Sequence, residues 1–423
     1  MNKEIVHTKD INDFRKEAIY YSNQGKRFRF LLESVVGCFG QCPGCAFTFE
    51  EKSNVKQPLM NAKDLPNLFN QMLYLIEYRQ GIEGAALGGN IETTVINFGG
   101  AEHFIYDDNY LGALFEQTAI FFDKVPTKRN VLAFSSSGLM LPQKMYQNSR
   151  KMLQYLKKEQ FVVDFVIDLS RFDRLKDNYK RSFDFFIENF GFVDLAINIE
   201  KNSDIRDWEA FCNFVDERGI LNVDLIYALN TKNKHRVAIE ANKFFSVYEK
   251  IVKSSKNGMH LFDINGFLRI KDNQEEFVKN LQNMSIKEVA EKAAKTIMSD
   301  AMFIDSNYNA SPVMFGIFAD IPLGERLDWK PVGNIFEKDF VVKWKNYEQE
   351  MVKKLIKINA ISQQCSNCEF TKECYSTGLP YLNQYLNEWD GKKIKNQEEC
   401  QNPIRPFLEA KKHKYLIPRQ DEY

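Results

Sequence analysis

Between about residue 26 and residue 254, short apolar runs rich in β-branched and aromatic residues alternate with longer stretches whose apolar positions recur every three or four residues. The short runs predict strands at 28–36 (FRFLLESVV), 93–98 (TTVINF), 130–134 (NVLAF), 161–169 (FVVDFVIDL), 192–199 (FVDLAINI) and 221–229 (LNVDLIYAL). The longer ones predict amphipathic helices, as in DLPNLFNQMLYLIEYR at 64–79. Strand and helix in strict alternation argue for βα units feeding a parallel sheet. Six units fall short of the eight that close a barrel, so the expected fold is α/β, an open, partial (β/α)6 TIM-like barrel.

After about residue 255 the regularity fails. A mixed helical segment leads into VMFGIFADIPLGERLDWKPVGNIFE, whose Gly and Pro punctuation predicts short strands and turns. The expected organisation is a barrel core at 1–255, a connecting segment at 256–310 and a smaller cysteine-rich domain at 311–423. The chain has 423 residues, ample for a core and a second domain.

Charge narrows the partners. Lys plus Arg and Asp plus Glu are both 57, so the net charge is zero and no basic footprint for nucleic acid or anionic lipid is present. The charged N-terminus lacks a signal-peptide apolar segment, and no later run reaches the roughly 18 uncharged apolar residues of a membrane span. A soluble cytoplasmic protein is expected, with no nucleic-acid and no membrane partner. In that reducing compartment, clustered thiols are metal ligands or catalytic groups more often than disulfides.

The eight cysteines are unevenly spread. Cys38, Cys42 and Cys45 lie in CFGQCPGC, just after the first predicted strand; Cys365, Cys368, Cys374 and Cys400 lie near the end; Cys212 stands alone in an amphipathic helical pattern, where a buried small side chain is expected. Three thiolates on a Gly-rich loop leave a four-site metal centre one ligand short, open to a substrate or cofactor. Zinc and cubane iron–sulfur clusters are both compatible with thiolates at such spacing. The four C-terminal thiolates are enough to close either kind of site. The five histidines form no ligand-spaced pair, and only His103, beside Glu102, is a candidate for the active site.

The Cys-x3-Cys-x2-Cys spacing after the first strand of a partial barrel resembles the radical S-adenosylmethionine (radical SAM) superfamily. The resemblance implies that Cys38, Cys42 and Cys45 hold a [4Fe–4S] cluster whose fourth iron is chelated by S-adenosyl-L-methionine (SAM). One electron then cleaves SAM to methionine and a 5′-deoxyadenosyl radical, which abstracts hydrogen from the substrate. Other segments agree. INFGGAEHF at 96–104 is similar to the family's Gly-Gly-Glu segment, which implies that Gly99, Gly100 and Glu102 receive the SAM amino group, although Ala101 is inserted. LAFSSSGLML at 132–141 stands where the family often has a Thr-Asn-Gly turn, with Ser135, Ser136 and Ser137 placed to reach a ribose or to form a solvated turn. Asp168, Ser170 and Arg181, in IDLSRFD and YKRSF, match the places of polar SAM contacts. The family's aromatic residue before the third cysteine is here Gly44, which leaves Phe47 for the adenine.

PVGNIFEKDFVVKWKN at 331–346, followed by Cys365-x2-Cys368-x5-Cys374 and Cys400, resembles the SPASM and twitch extensions of radical SAM enzymes. Residue 378, where a SPASM pattern has a further cysteine, is Gly, and the hairpin cysteine pair is absent from the sequence. The resemblance therefore implies one auxiliary [4Fe–4S] cluster with four protein ligands. Enzymes with these extensions mostly modify peptides or proteins by crosslinking, oxidation or epimerisation, and a minority act on metabolites such as aminosugars. A peptide or protein substrate is thus expected, with a small metabolite as the alternative and a zinc-stabilised binding protein as the alternative of another class. Implied partners are a reductant such as flavodoxin or ferredoxin and a separate leader-peptide-binding protein, because the first strand begins too early for a fused one.

Overall fold

In the computed structural model, the residues described are 27–33, 60–80, 91–98, 102, 108–139, 142–190, 192–199, 208–218, 223–227, 241–254, 262–264, 282–289, 291, 301–311, 330–360, 367–372 and 405–412. Strands β1 (Arg27–Leu32), β2 (Thr93–Phe98), β3 (Arg129–Ser136), β4 (Phe161–Asp168), β5 (Phe192–Ile199) and β6 (Val223–Tyr227) match the six predicted runs. They pair in parallel and in sequence order. The helices between them are α1 (Leu65–Gln80), α2 (Asp108–Lys124), α3 (Pro142–Tyr155), α4 (Phe172–Asn189), α5 (Trp208–Asp216) and α6 (Ala241–Ser254). The α/β partial barrel is thus present.

Two further parallel strands flank the six. β7 (Phe262–Ile264) adds beside β6, and β8 (Ala301–Ile304) adds on the other side of β1. β8 continues antiparallel into β9 (Asn309–Ser311), and that into β10 (Gly333–Asn334), giving the order β10-β9-β8-β1-β2-β3-β4-β5-β6-β7. Part of the stretch expected to be a connector therefore belongs to the sheet. At three and four residues, β7 and β8 are too short to show alternation, and pairing with distant strands defines them.

Alternation explains the layering. On β4, Phe161, Val163, Phe165 and Ile167 are fully buried on one face, together with Phe28, Phe30, Leu32, Ile96, Phe98, Leu132 and Phe134 of the neighbouring strands. This face receives the helices. On α4, Tyr179, Phe183 and Phe186 recur at three- and four-residue intervals and place their rings 6.1, 5.1 and 5.8 Å from that of Phe165. Each edge-to-face pair contributes about 1 kcal/mol beyond its buried area. The opposite face is different: Val95, Val131 and Ala133 form a small separate cluster with Val162 packed on it, and Arg29, Asn97, Ser135 and Asp164 are only half-buried. A closed barrel fills its interior with large branched residues. Here the described residues of the inner face are smaller and more mixed, unlike the filled interior of a closed barrel.

The GNI segment has a structural account. Gly333 has φ +155°, and a Cβ there would meet the Glu337 carboxylate at 3.3 Å. Asn334 closes an Asx turn onto the Phe336 amide at 3.0 Å and donates to the Asn307 carbonyl at 2.9 Å. Ile335 is fully buried. This turn opens α7 (Phe340–Ala360), which docks on α1: the Arg79 guanidinium pairs with Glu348, Trp344 Nε1 donates to Glu348 at 2.7 Å, and Arg79 lies 4.4 Å over the Phe28 ring. Tyr308 adds a second tie through its hydroxyl to Asp64 at 3.0 Å. A short helix α8 (Arg405–Lys412) contributes buried Leu408. Among the described residues, no helix is long and apolar enough to cross a membrane.

Candidate functional site

Parallel strands put all their C-terminal ends at one rim, the edge where barrels of this kind carry their chemistry. The segment with Cys38, Cys42 and Cys45 follows the end of β1 in the chain, Gly99 and Gly100 follow β2, Ser137 follows β3, and Ser170 follows Asp168 at the end of β4. Cys38, Cys42, Cys45, Phe47, Gly99 and Gly100 lie outside the described residues, as do Cys365, Cys374, Cys400 and all five histidines. Among the described residues, no group of three His, Cys, Asp or Glu side chains is placed to hold a metal.

Glu102 is described and is nearly inaccessible, 1% exposed. The resemblance sends its carboxylate to the SAM ammonium; the structure turns it onto the end of β3. It accepts hydrogen bonds from Ser136 Oγ at 2.9 and 3.1 Å, from the Ser137 amide at 3.0 Å and from Ser137 Oγ at 3.1 Å. Ser136 Oγ also accepts from the Gly138 amide at 3.1 Å, and the Gly138 carbonyl accepts from Ser182 Oγ of α4 at 2.5 Å. Elements β2, β3 and α4 are joined by this one network. Burial pushes the Glu102 carboxyl up to about 7, and the hydrogen bonds from Ser136 and Ser137 offset only part of that.

The sign of the pH effect follows. A carboxyl held above its ordinary value of 4.5 favours folding fully only below that value, and the benefit is lost as pH rises through about 7. Glu102→Gln removes the titration, so the variant should gain stability relative to the wild type as pH rises from 4.5 to about 7, by on the order of 3 kcal/mol. Urea titrations at several pH values measure this, and parallel curves for the two proteins would contradict it.

Asp168, 1% exposed, ends β4 opposite Asn198 of β5. Its Oδ1 accepts from the Ser170 amide at 3.0 Å and from Ser170 Oγ at 2.6 Å. Its Oδ2 is buried without a hydrogen-bond partner among the described residues, although Arg171 Nε lies 3.8 Å away. A buried carboxylate oxygen in that position is a ready acceptor for a ligand hydroxyl or ammonium. Ser135 stands on the other face of β3 from Ser136 and opposite Asp164.

Arg181 sits on the exposed side of α4, donates to Asn178 at 2.6 Å and lies nine residues into the helix, about 14 Å along its axis at 1.5 Å per residue. The basic residue at the rim is Arg171, which the sequence reading passed over; its position three residues after Asp168 was the available signal. Ser182, beside Arg181 in sequence, was missed because its partner, Gly138, is distant in the chain. Cys212 is fully buried, its thiol donates weakly to the Ile251 carbonyl at 3.5 Å, and burial pushes it up to about 12, as suits an inert core thiol. Cys368 is partly exposed in a turn where Thr371 donates to its carbonyl through both N and Oγ1.

No family model and no curated protein matches the chain. Solved structures do. anSMEcpe with bound AdoMet covers 93% of this chain and 98% of its own length at 12% identity, with a TM-score of 0.52. The same protein with AdoMet and a peptide covers 93% and 97% at 14% identity, TM-score 0.51. SuiB of Streptococcus suis covers 87% of this chain and 78% of its own at 14% identity, TM-score 0.50. With its eight parallel strands in the order β8-β1-β2-β3-β4-β5-β6-β7, the chain shares the open-barrel fold of anSMEcpe and SuiB.

Proposed function

We propose that this chain is a radical SAM enzyme in which Cys38, Cys42 and Cys45 hold a [4Fe–4S] cluster and SAM, and that its substrate is a peptide or protein. The observation that carries the reading is the rim itself. In the chain the three thiols come after β1, whose C-terminal end shares an edge with that of β4, where Asp168 buries an acceptor oxygen, and with that of β3, where Glu102 docks on Ser136. The donor set fits the group: three thiolates for three irons, with one position left for SAM.

When bound, the cluster and SAM supply one-electron cleavage and a hydrogen-abstracting radical. The chain's own residues bind and orient. Asp168 offers the carboxylate oxygen that has no hydrogen-bond partner among the described residues to a hydroxyl or ammonium, with Arg171, Asn198 and Ser170 beside it, and the Val95, Val131, Ala133 and Val162 patch gives an apolar floor. Ser135 and Ser137 are candidates for further ligand contacts. The C-terminal Cys365, Cys368, Cys374 and Cys400 are assigned to one auxiliary [4Fe–4S] cluster that relays electrons or braces the fold, with flavodoxin or ferredoxin as the outer reductant. A peptide substrate is favoured because anSMEcpe, a protein of the same fold, has been solved with AdoMet and a peptide.

Anaerobic reconstitution tests the reading. The expected result is about eight irons per chain, from two cubane clusters, and release of 5′-deoxyadenosine on reduction with SAM. A colourless protein with zinc and neither iron nor sulfide would overturn it in favour of a zinc-stabilised binding protein. Adding short precursor peptides encoded beside this chain and looking for a mass change separates a peptide substrate from a metabolite such as an aminosugar.

A further inference from the structure

The inner face of the sheet is divided by charge along the strands. Three arginines stand at the N-terminal ends: Arg27 and Arg129 flank Thr93 in register, and Arg29 is level with Val95 and Val131. Acidic residues gather towards the opposite ends. Asp164 of β4 lies between Ser135 and Asp194, and two residues further along β5, Ala196 is followed in register by Asp224 of β6 and Asp263 of β7. Asp168 ends the same alternation on β4, opposite Asn198. Ser135 comes four residues after Val131, so about 13 Å of strand, at roughly 3.3 Å per residue, separates the acidic level from the Arg29 level. Carboxylates directly opposite one another on neighbouring strands repel, and the register makes two such pairs, Asp164 with Asp194 and Asp224 with Asp263. An independent sign of an incomplete site is Asp168. It is 1% exposed, and its Oδ2 has no hydrogen-bond partner among the described residues, since Arg171 Nε at 3.8 Å is beyond hydrogen-bonding distance. A buried acceptor in that state calls for a donor.

We propose that the acidic half of the inner face, Asp164 with Asp194, Asp224 and Asp263 and with Asp168 at its rim end, receives a cationic group of the substrate, so that a peptide bound at the rim presents a lysine or arginine side chain to the barrel interior. This inference rests on the proposed radical SAM reading and adds a substrate class to it. An ammonium or guanidinium brings donors and no acceptor, which suits a site made of carboxylates. Its charge offsets the repulsion within each opposed pair, and the attraction is stronger in a half-buried site than in water. A neutral or acidic side chain leaves the repulsion in place.

The test uses the full chain, anaerobically reconstituted and saturated with SAM, and three pools of short fluorescent peptides that are random except for a central lysine, norleucine or glutamate. Fluorescence anisotropy reads the binding. The lysine pool should bind about tenfold or more tighter than the norleucine pool, with the glutamate pool weakest. In Asp164→Asn, which keeps the shape and removes the charge, the lysine preference should fall to about threefold or less, while iron content and affinity for the norleucine pool stay as in wild type. Should Asp164→Asn fail to fold, Asp224→Asn takes its place with the same expected loss. Absent or equal binding of the lysine and norleucine pools by wild type, or an undiminished lysine preference in the variant, would overturn the cationic assignment and leave the radical SAM reading standing. A variant that loses SAM affinity and keeps its lysine preference would overturn it as well, in favour of the SAM sulfonium as the cation served. A wild-type protein that binds neither iron nor SAM would overturn the radical SAM reading, and this inference with it.

Discussion

Replacing Cys38, Cys42 and Cys45 together by Ala is expected to remove about half of the iron and reduce SAM cleavage to background, while the circular dichroism spectrum stays that of wild type. The thiolates are the only protein ligands assigned to the SAM-binding cluster, so no partial activity should survive their loss. The fold should tolerate the change, because the core beneath is made by Phe28, Phe30 and Leu32 of β1 and by Leu65, Leu68, Phe69 and Met72 of α1, on either side of the cysteine segment. Iron and labile sulfide analysis, with chromatographic detection of 5′-deoxyadenosine, decides the matter. Full iron with retained cleavage would refute the ligand assignment.

Gly138→Ala is the substitution expected to cost most in stability. Gly138 has φ +66°, a conformation that costs an L-residue about 1–2 kcal/mol. An added Cβ would also come within 2.6 Å of two Phe165 ring carbons and 3.0 Å of Ser182 Cβ. Phe165 cannot swing away, since Tyr179, Phe183 and Phe186 hold its ring on the α4 side. Overpacking of this kind adds about 1–3 kcal/mol, for a combined cost of roughly 2–5 kcal/mol. Urea unfolding followed by circular dichroism measures it. A loss below about 0.5 kcal/mol, the size of an ordinary surface substitution, would mean the turn relaxes without difficulty. The same change should loosen the Ser136 and Ser137 contacts to Glu102, since Gly138 N is bonded to Ser136 Oγ.

The sequence is most legible where a strand is long and buried by helices on one face. β2 and β5 have the predicted bounds, and β4 differs by one residue, because their β-branched and aromatic runs end sharply. β7 and β8 carry too few residues to reveal a period, so their place beside β6 and β1 depends on contacts that no local window contains. The site divides in the same way. The cysteine spacing is a local pattern and points to a metal without help from the fold. Asp168 and Ser170 are two apart, and their hydrogen bonds are readable as a turn. The enclosure of Glu102 is not readable, since its partners stand at the end of another strand. A carboxylate after Gly-Gly suggests a ligand contact until the third strand is laid beside the second.

The docking of α7 on α1 bears on how any lesion in the C-terminal cysteines should be interpreted. Arg79 reaches from Glu348 to the face of Phe28, and Phe28 lies on the strand that leads to the first cysteine group. Helix α7 is thus a buttress for the wall formed by α1 and β1. A Cys365 or Cys374 variant that loses activity reports on wiring only if Glu348 remains seated on Arg79; otherwise the wall has shifted, and the silence of the enzyme is mechanical.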